Sequence, residues 1–137
     1  MKKHKPLSLI LSVMMLPILL FSVLSFGACG QNTDTVVITA DFNEYDLQDK
    51  TLKDLMDILV ENGELEFESA NGMINSINKV SNTTNCFWML YTDDTQLSNE
   101  AWGTTEYNGK TYASAIYGYE QLPLKDGCTY IWVYQQF

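Results

Sequence analysis

The chain has 137 residues, and its formal net charge is −9 at pH 7 because 17 acidic residues face eight lysines and no arginine. A chain this acidic lacks the cationic surface that a phosphate backbone requires, which excludes nucleic-acid binding. About 108 residues follow Cys29, and this is the usual size of one domain.

The first 28 residues have the layout of an export signal. Lys2, Lys3 and Lys5 form a short basic patch, an apolar run over residues 7–26 follows, and small residues precede Cys29. A charged region, an apolar region and a small-residue cleavage site in this order are typical of a secretory signal peptide. We therefore expect residues 1–28 to be a signal peptide.

The end of this segment, Phe26-Gly27-Ala28-Cys29, resembles the lipobox of bacterial lipoprotein precursors. In those precursors a diacylglycerol is attached to the Cys thiol and the chain is cut just before it. The resemblance implies that Cys29 is the lipid-attachment residue, that residues 29–35 form a short tether, and that the protein is extracytoplasmic and lipid-anchored to the cell membrane. An ordinary signal peptide cut near Ala28 and an uncleaved anchor are the alternatives.

Cleavage of the signal peptide would remove a potential catalytic or metal-binding side chain as well as positive charge. The only histidine, His4, leaves with it, and the remaining five lysines face all 17 acidic residues, a net charge of −12. Histidine is the usual general base and the commonest metal ligand. We therefore expect no catalytic residue, no metal site, no cofactor and no enzymatic activity.

Two cysteines, Cys86 and Cys128, remain as an even pair in a non-cytosolic setting, which favours a structural disulfide between them. Each stands at the start of a strand-like run. A bond therefore requires the two strand starts to lie within about 7 Å, Cα to Cα. The geometry fails if the two strands are antiparallel neighbours over their full length.

The predicted elements begin with a β-branched strand over residues 36–40 and a short second strand over residues 45–47. A helix opens at Thr51, because apolar residues then recur at 3.6-residue spacing, and Asn62-Gly63 ends it. Glu64, Glu66 and Glu68 alternate with apolar residues, as on the solvated face of an edge strand. The apolar residues of the helix are Leu52, Leu55, Met56, Leu59 and Val60.

The later part of the chain is rich in strand patterns. Residues 86–91 are apolar on both faces, as in a central strand, and residues 129–134 form a second buried strand. Asn108-Gly109 is the favoured pair for a type I′ turn and predicts a hairpin between residues 102–107 and 110–113. A further short strand is expected over residues 115–119. One helix and five or more strands predict an α+β domain.

The order of four segments resembles the transcobalamin-like C-terminal domain family of Gram-positive lipoproteins and surface proteins. The resemblance implies a β-grasp fold of the soluble-ligand-binding type over residues 36–137, with a mixed sheet packed on one helix. A similar domain covers one face of the corrinoid in the animal vitamin B12 carriers, so a cobalamin-like ligand is implied here. The four segments are residues 51–56, 72–78, 87–91 and 123–134.

Aromatic side chains are dense after residue 86. We expect Trp88 and one face of the final strand to belong to the core, because alternate strand residues face opposite ways. Trp102, Tyr117 and Tyr119 lie outside the strongest core pattern. Aromatic residues in such positions often line a concave surface or an interface, so we predict that these three contact a ligand.

Two functions fit these observations. In the first, the domain captures a flat, partly apolar small molecule and passes it to a membrane transporter. In the second, it is a non-catalytic cell-surface module that binds a protein or a glycan. A concave aromatic pocket would favour the first function, and a flat exposed patch would favour the second.

Overall fold

The computed structural model describes residues 34–137, and the predicted signal peptide and Cys29 lie outside this range. The described residues form two antiparallel sheets and one helix, which agrees with the predicted α+β class. The elements are β1 Thr35–Thr39, α1 Leu52–Glu61, β2 Phe67–Ala70, β3 Met73–Ile77, β4 Val80–Ser81, β5 Cys86–Thr92, β6 Ser98–Tyr107, β7 Lys110–Ala115 and β8 Thr129–Gln136.

The larger sheet has the strand order β1-β8-β5-β7-β6, and the smaller sheet has the order β2-β3-β4. Each pair of neighbouring strands in both sheets is antiparallel. The expectation of a mixed sheet is therefore wrong for residues 34–137. A parallel pair needs a crossover connection. Here α1 follows β1, but the next strand joins the smaller sheet and completes no crossover beside β1.

Helix α1 forms where the apolar spacing predicts it, and it buries Leu52, Leu55 and Met56. Its N-terminus is fixed by Asp54, whose carboxylate accepts hydrogen bonds from the backbone N–H (2.8 Å) and the hydroxyl (3.1 Å) of Thr51. These bonds hold the pKa of Asp54 below its usual value, with the backbone hydrogen bond as the largest cause. Within residues 34–137, no helix is long and apolar enough to cross a bilayer.

The main core lies between α1 and one face of the larger sheet. Trp88 on β5 and Tyr130 and Trp132 on β8 point to this face and are almost fully buried. Ile131 and Val133 point to the opposite face, where they pack with Tyr91 and Tyr112. The two central strands are thus buried on both faces, as predicted from their sequences. Trp88 and one face of the final strand belong to the core as expected.

Most local predictions agree with the structure. Asn108 (φ 49°) and Gly109 (φ 75°) both adopt left-handed backbone conformations, which a type I′ turn requires. The glutamates of the predicted edge strand are exposed around buried Leu65. Two expected strands are wrong. Residues 45–47 lie in a loop that buries Leu47, and residues 116–119 leave the sheet after β7 ends.

The expected disulfide between Cys86 and Cys128 is also wrong, because Cys128 is a free cysteine. Strands β5 and β8 are antiparallel over their whole length, and Cys86 pairs with Gln136 at the far end of β8. Eight residues of extended chain separate Gln136 from Cys128, which places the two cysteines roughly 25 Å apart. Burial raises the pKa of the Cys128 thiol, with the nearby carboxylates of Asp93 and Asp94 adding to the effect.

Candidate functional site

The candidate site lies beside the central strand β5. Strand β8 pairs with all of β5, from Cys86 to Thr92. Strand β7 pairs only with Tyr91 and Thr92, and its chain then turns away after Ala115. The first part of β5 therefore has a full strand partner on one side only, and a gap opens on the other.

Asn82 closes one end of this gap and joins the two sheets. Its side-chain oxygen accepts a hydrogen bond from the backbone N–H of Trp88 (3.1 Å), and its Nδ2 donates to the carbonyl of Ile74 in β3 (2.7 Å). Nearby, the indole Nε1 of Trp88 donates to the carbonyl of Val80 (2.8 Å). These bonds hold the smaller sheet against β5.

The remaining gap is an open cavity of about 420 Å³, here called the aromatic groove. Its floor is the helix-facing side of β5 and β8, formed by Trp88, Leu90 and Trp132. Residues 72–74 form one wall and residues 114–119 form the other. The volume lies within the range of small-molecule sites in proteins.

Hydrogen bonds to α1 position the second wall. The first two N–H groups of the helix, those of Leu52 and Lys53, donate to the carbonyls of Leu122 (2.9 Å) and Tyr119 (3.0 Å). Such N–H groups have no partner inside a helix and need an external acceptor. The segment that forms the second wall is therefore hydrogen-bonded to the N-terminus of α1 through these two carbonyls.

Trp102 reaches the rim through a bulge in β6. Asn99 pairs with Ser114 and Thr104 pairs with Ala113. The four residues between Asn99 and Thr104 therefore have no paired residue in β7, because Ala113 and Ser114 are adjacent. Gly103, within this bulge, has φ +128°, a backbone conformation that residues other than glycine rarely adopt. The bulge leaves Trp102 64% exposed.

All three aromatic residues predicted to contact a ligand line this groove. Trp102 and Tyr117 are 64% and 50% exposed, whereas Tyr119 is only 1% exposed. The Tyr119 ring lies edge-on to the rings of Phe67 and Trp132, each with a centroid distance of 6.1 Å. Tyr119 thus belongs to the core as well as to the wall, and Trp102 and Tyr117 are available at the rim.

Most of the other lining residues could not be predicted as site residues from the sequence, and two of them bear on ligand binding. Met73 is 63% exposed beside the groove, and its signal was the turn at Asn71-Gly72, which places it at the start of a strand. Trp132 was assigned to the core alone, yet it lines the floor and its buried Nε1 has no hydrogen-bond acceptor within residues 34–137. Nothing in the sequence distinguishes this indole from the satisfied indole of Trp88.

The groove is electrically neutral. None of its described lining residues carries a charged side chain. Next to the groove residue Gly72, the carboxylate of Glu120 would lie 3.4 Å from a Cβ placed on that glycine. Among residues 34–137, no group of three or more potential ligand side chains could hold a metal ion. The surface is suited to an uncharged, partly apolar molecule.

Comparisons with known proteins do not identify a relative. No family model matches the chain, and neither the curated proteins nor the solved structures include a match.

Proposed function

We propose that this chain is a lipid-anchored extracytoplasmic protein that binds a small, partly apolar molecule in the aromatic groove. The observation that carries the proposal is a concave site with an apolar floor and two exposed aromatic side chains, Trp102 and Tyr117, at its rim. Apolar surfaces of this kind stabilise a flat ligand by burial and ring stacking. The function requires no bond making, so the protein is not proposed to be an enzyme.

The first ligand to test is a corrinoid, because the sequence resembles the transcobalamin-like family. The α+β architecture is compatible with that resemblance, and the β-grasp assignment is part of the proposal. A cavity of about 420 Å³ accommodates only one edge of a molecule as large as a corrinoid. In this proposal the remainder of the ligand stays outside the groove, where a membrane transporter can receive it.

A cell-surface interaction module is the second candidate. The exposed side chains of Met73, Trp102 and Tyr117 favour it, because together they present apolar surface around the groove. Such surface also occurs where proteins or glycans bind. The concavity of the site favours the small molecule over this alternative.

Calorimetric titration of residues 30–137 with cobalamin and with cobinamide tests the proposal. All described elements lie in this segment. We expect saturable binding with a micromolar or lower Kd, weakened at least tenfold in Trp102→Ala and Tyr117→Ala. Tyr107→Ala is the matched control, because Tyr107 is 36% exposed at the far end of the β6–β7 hairpin and does not line the groove.

Two results would count against this proposal. Absence of heat with both corrinoids, on protein shown to be folded, would remove the corrinoid. Equal weakening by Tyr107→Ala would remove the groove as the binding site.

A further inference from the structure

Strand β1 is an edge of the larger sheet, and its outer side carries unpaired backbone groups. Directly after β1, the Ala40 N–H donates to the carbonyl of Cys128, on the side of β8 (2.9 Å). In antiparallel pairing, the backbone groups of successive residues face opposite sides. The N–H and C=O of Val37 and Thr39 therefore point away from β8. Among residues 34–137 they have no hydrogen-bond partner.

The edge formed by β1 lacks the features that usually protect an exposed strand. Charged side chains, prolines and bulges discourage the addition of another chain to a sheet edge. At the opposite edge of the sheet, β6 contains a bulge and also Glu100 and Glu106. Strand β1 pairs with β8 without a register shift, and its sequence Thr-Val-Val-Ile-Thr has no charge, proline or glycine. A further strand can therefore be added to β1.

An open cavity of about 260 Å³, here called the β1 cavity, lies along this edge. It is lined by residues 36–39 of β1, by the later part of α1 and by the loops before and after the helix. The residues outside β1 are Glu44, Tyr45, Leu59, Glu64 and Leu65. None of these residues lines the aromatic groove, so the β1 cavity is a separate surface.

Glu44 and Glu64 give the β1 cavity a negative charge. Burial raises the pKa of the Tyr45 hydroxyl, and the carboxylates of Glu44 and Glu64 raise it further, so both carboxylates lie close to this ring. No lysine lines the cavity, and the three ion pairs among residues 34–137 involve other carboxylates. Two neighbouring carboxylates without a cation attract a basic side chain.

We propose that β1 is a docking edge for a basic segment of a partner protein, which adds to the five-stranded sheet as a sixth strand. The partner's backbone pairs with the outer N–H and C=O groups of Val37 and Thr39. One of its basic side chains enters the β1 cavity beside Glu44 and Glu64. The inference is independent of ligand capture by the aromatic groove.

Charge favours a basic partner over a second copy of this chain. A second copy would bring a further net charge of −12, after the predicted cleavage, to the same edge. Pairing of β1 with its own copy would also set the glutamates of two β1 cavities near each other. Like charges at such an interface repel.

Nuclear magnetic resonance on ¹⁵N-labelled protein, residues 30–137, tests the inference. The probe is acetyl-Lys-Val-Lys-Val-Lys-amide, whose lysines share one face in an extended conformation. We expect the amide resonances of Val37 and Thr39 to shift saturably. The Ile38 amide, which faces β8, should shift less. The same peptide with each backbone N–H methylated keeps the charge and should bind about tenfold more weakly, because it cannot form the strand hydrogen bonds.

The contribution of charge is tested separately. The peptide acetyl-Gln-Val-Gln-Val-Gln-amide keeps the backbone and should bind about fivefold more weakly than the lysine peptide. The double variant Glu44→Gln/Glu64→Gln should weaken the lysine peptide to a similar extent. Glu61→Gln/Glu106→Gln is the matched control, because it changes the net charge equally at two exposed positions outside the β1 cavity. This control should bind the lysine peptide as the wild type does.

Several results would overturn the inference. These are no saturable shift at millimolar lysine peptide, equal binding of the methylated peptide, or equal weakening in the two double variants. Trp102→Ala should leave peptide binding unchanged, and shifts confined to the aromatic groove would exclude the β1 edge as the site. Shifts of Val37 and Thr39 that depend on protein concentration without peptide would assign the edge to a second copy instead.

Discussion

A single carboxylate, that of Asp93, fastens the start of β8 to the end of β5. It accepts hydrogen bonds from the backbone N–H of Thr129 (2.8 Å) and from Lys110 (2.6 Å). Burial raises the pKa of Asp93, but these two hydrogen bonds outweigh burial and hold the pKa below its usual value. The ionised form is therefore the one that stabilises the fold.

Two substitutions at Asp93 should distinguish the contribution of the Thr129 hydrogen bond from that of the Lys110 ion pair. Asp93→Ala leaves the Thr129 N–H without its acceptor, and we expect the free energy of unfolding to fall by about 1–3 kcal/mol. Asp93→Asn keeps an oxygen for Thr129 and loses only the ion pair with Lys110, which is 57% exposed. The asparagine variant should therefore be the more stable of the two. Urea denaturation at pH 7 measures both.

The same residue predicts a pH dependence. A carboxyl whose pKa is lower in the folded than in the unfolded state contributes stability above the unfolded pKa of about 3.9. That contribution is lost as the pH falls through the lower, folded pKa. The wild type should therefore lose more stability than Asp93→Asn between pH 5 and pH 2. Parallel losses in the two proteins would show that Asp93 has no such role.

At the scale of elements, the bulge in β6 determines where Trp102 lies. Gly103→Ala introduces a side chain at φ +128°, and the strain should cost about 1–3 kcal/mol of stability. The strain is expected to displace Trp102 from the rim, so the variant should bind the groove ligand several-fold more weakly. Denaturation and calorimetry give the two quantities.

Gly109→Ala is the matched control for the bulge. Gly109 also has a positive φ, +75°, with open space around it, but it lies in the hairpin turn outside the groove. This variant should lose stability and keep its affinity. A loss of affinity as large as that of Gly103→Ala would mean that the effect is not local to Trp102.

The elements that could be predicted from the sequence are those whose cause is local. The spacing of Leu52, Leu55 and Met56 is sufficient for a helix, and Asn108-Gly109 is sufficient for a tight hairpin turn. The prediction of a strand at residues 45–47 was wrong because three residues are too few to show an alternating pattern reliably. Leu47 is buried there in a loop, and over so short a stretch a loop can show the same alternating pattern as a strand.

At the scale of the molecule, Asn82 is the polar link between the two sheets at the groove. Asn82→Ala leaves the Trp88 N–H and the Ile74 C=O without their side-chain partner. We expect a loss of about 2 kcal/mol in the free energy of unfolding and faster hydrogen exchange of the Trp88 amide. Asn75→Ala, at an exposed position of β3, should change neither quantity. Equal effects of the two variants would contradict this role.

Features that depend on strand order could be predicted only in part. Trp102, Tyr117 and Tyr119 were predicted as ligand contacts because they lie outside the strongest core pattern in the sequence, and all three line the groove. The position of the Trp132 indole depends on its register with Leu90 and on the early departure of β7. The disulfide prediction failed for the same reason, because only the pairing of β5 with β8 shows that Cys86 and Cys128 lie far apart.

Attachment to a membrane involves the whole molecule. Residues 30–34, between Cys29 and β1, can span at most about 20 Å. Without a lipid, a domain with a net charge of −12 after the predicted cleavage should be repelled by anionic membranes. A lipid at Cys29 would therefore be required to keep the groove close to the bilayer.

Metabolic labelling with radioactive palmitate tests this proposal on the full chain. We expect label on the wild type and on Cys128→Ala, with both proteins in the membrane fraction. Cys29→Ala should carry no label and leave that fraction. Equal label on Cys29→Ala would exclude Cys29 as the attachment residue, and an unlabelled wild type would favour an ordinary signal peptide. A mutant that stays in the membrane without label would instead favour the uncleaved anchor, because the apolar run over residues 7–26 would then hold the chain by itself.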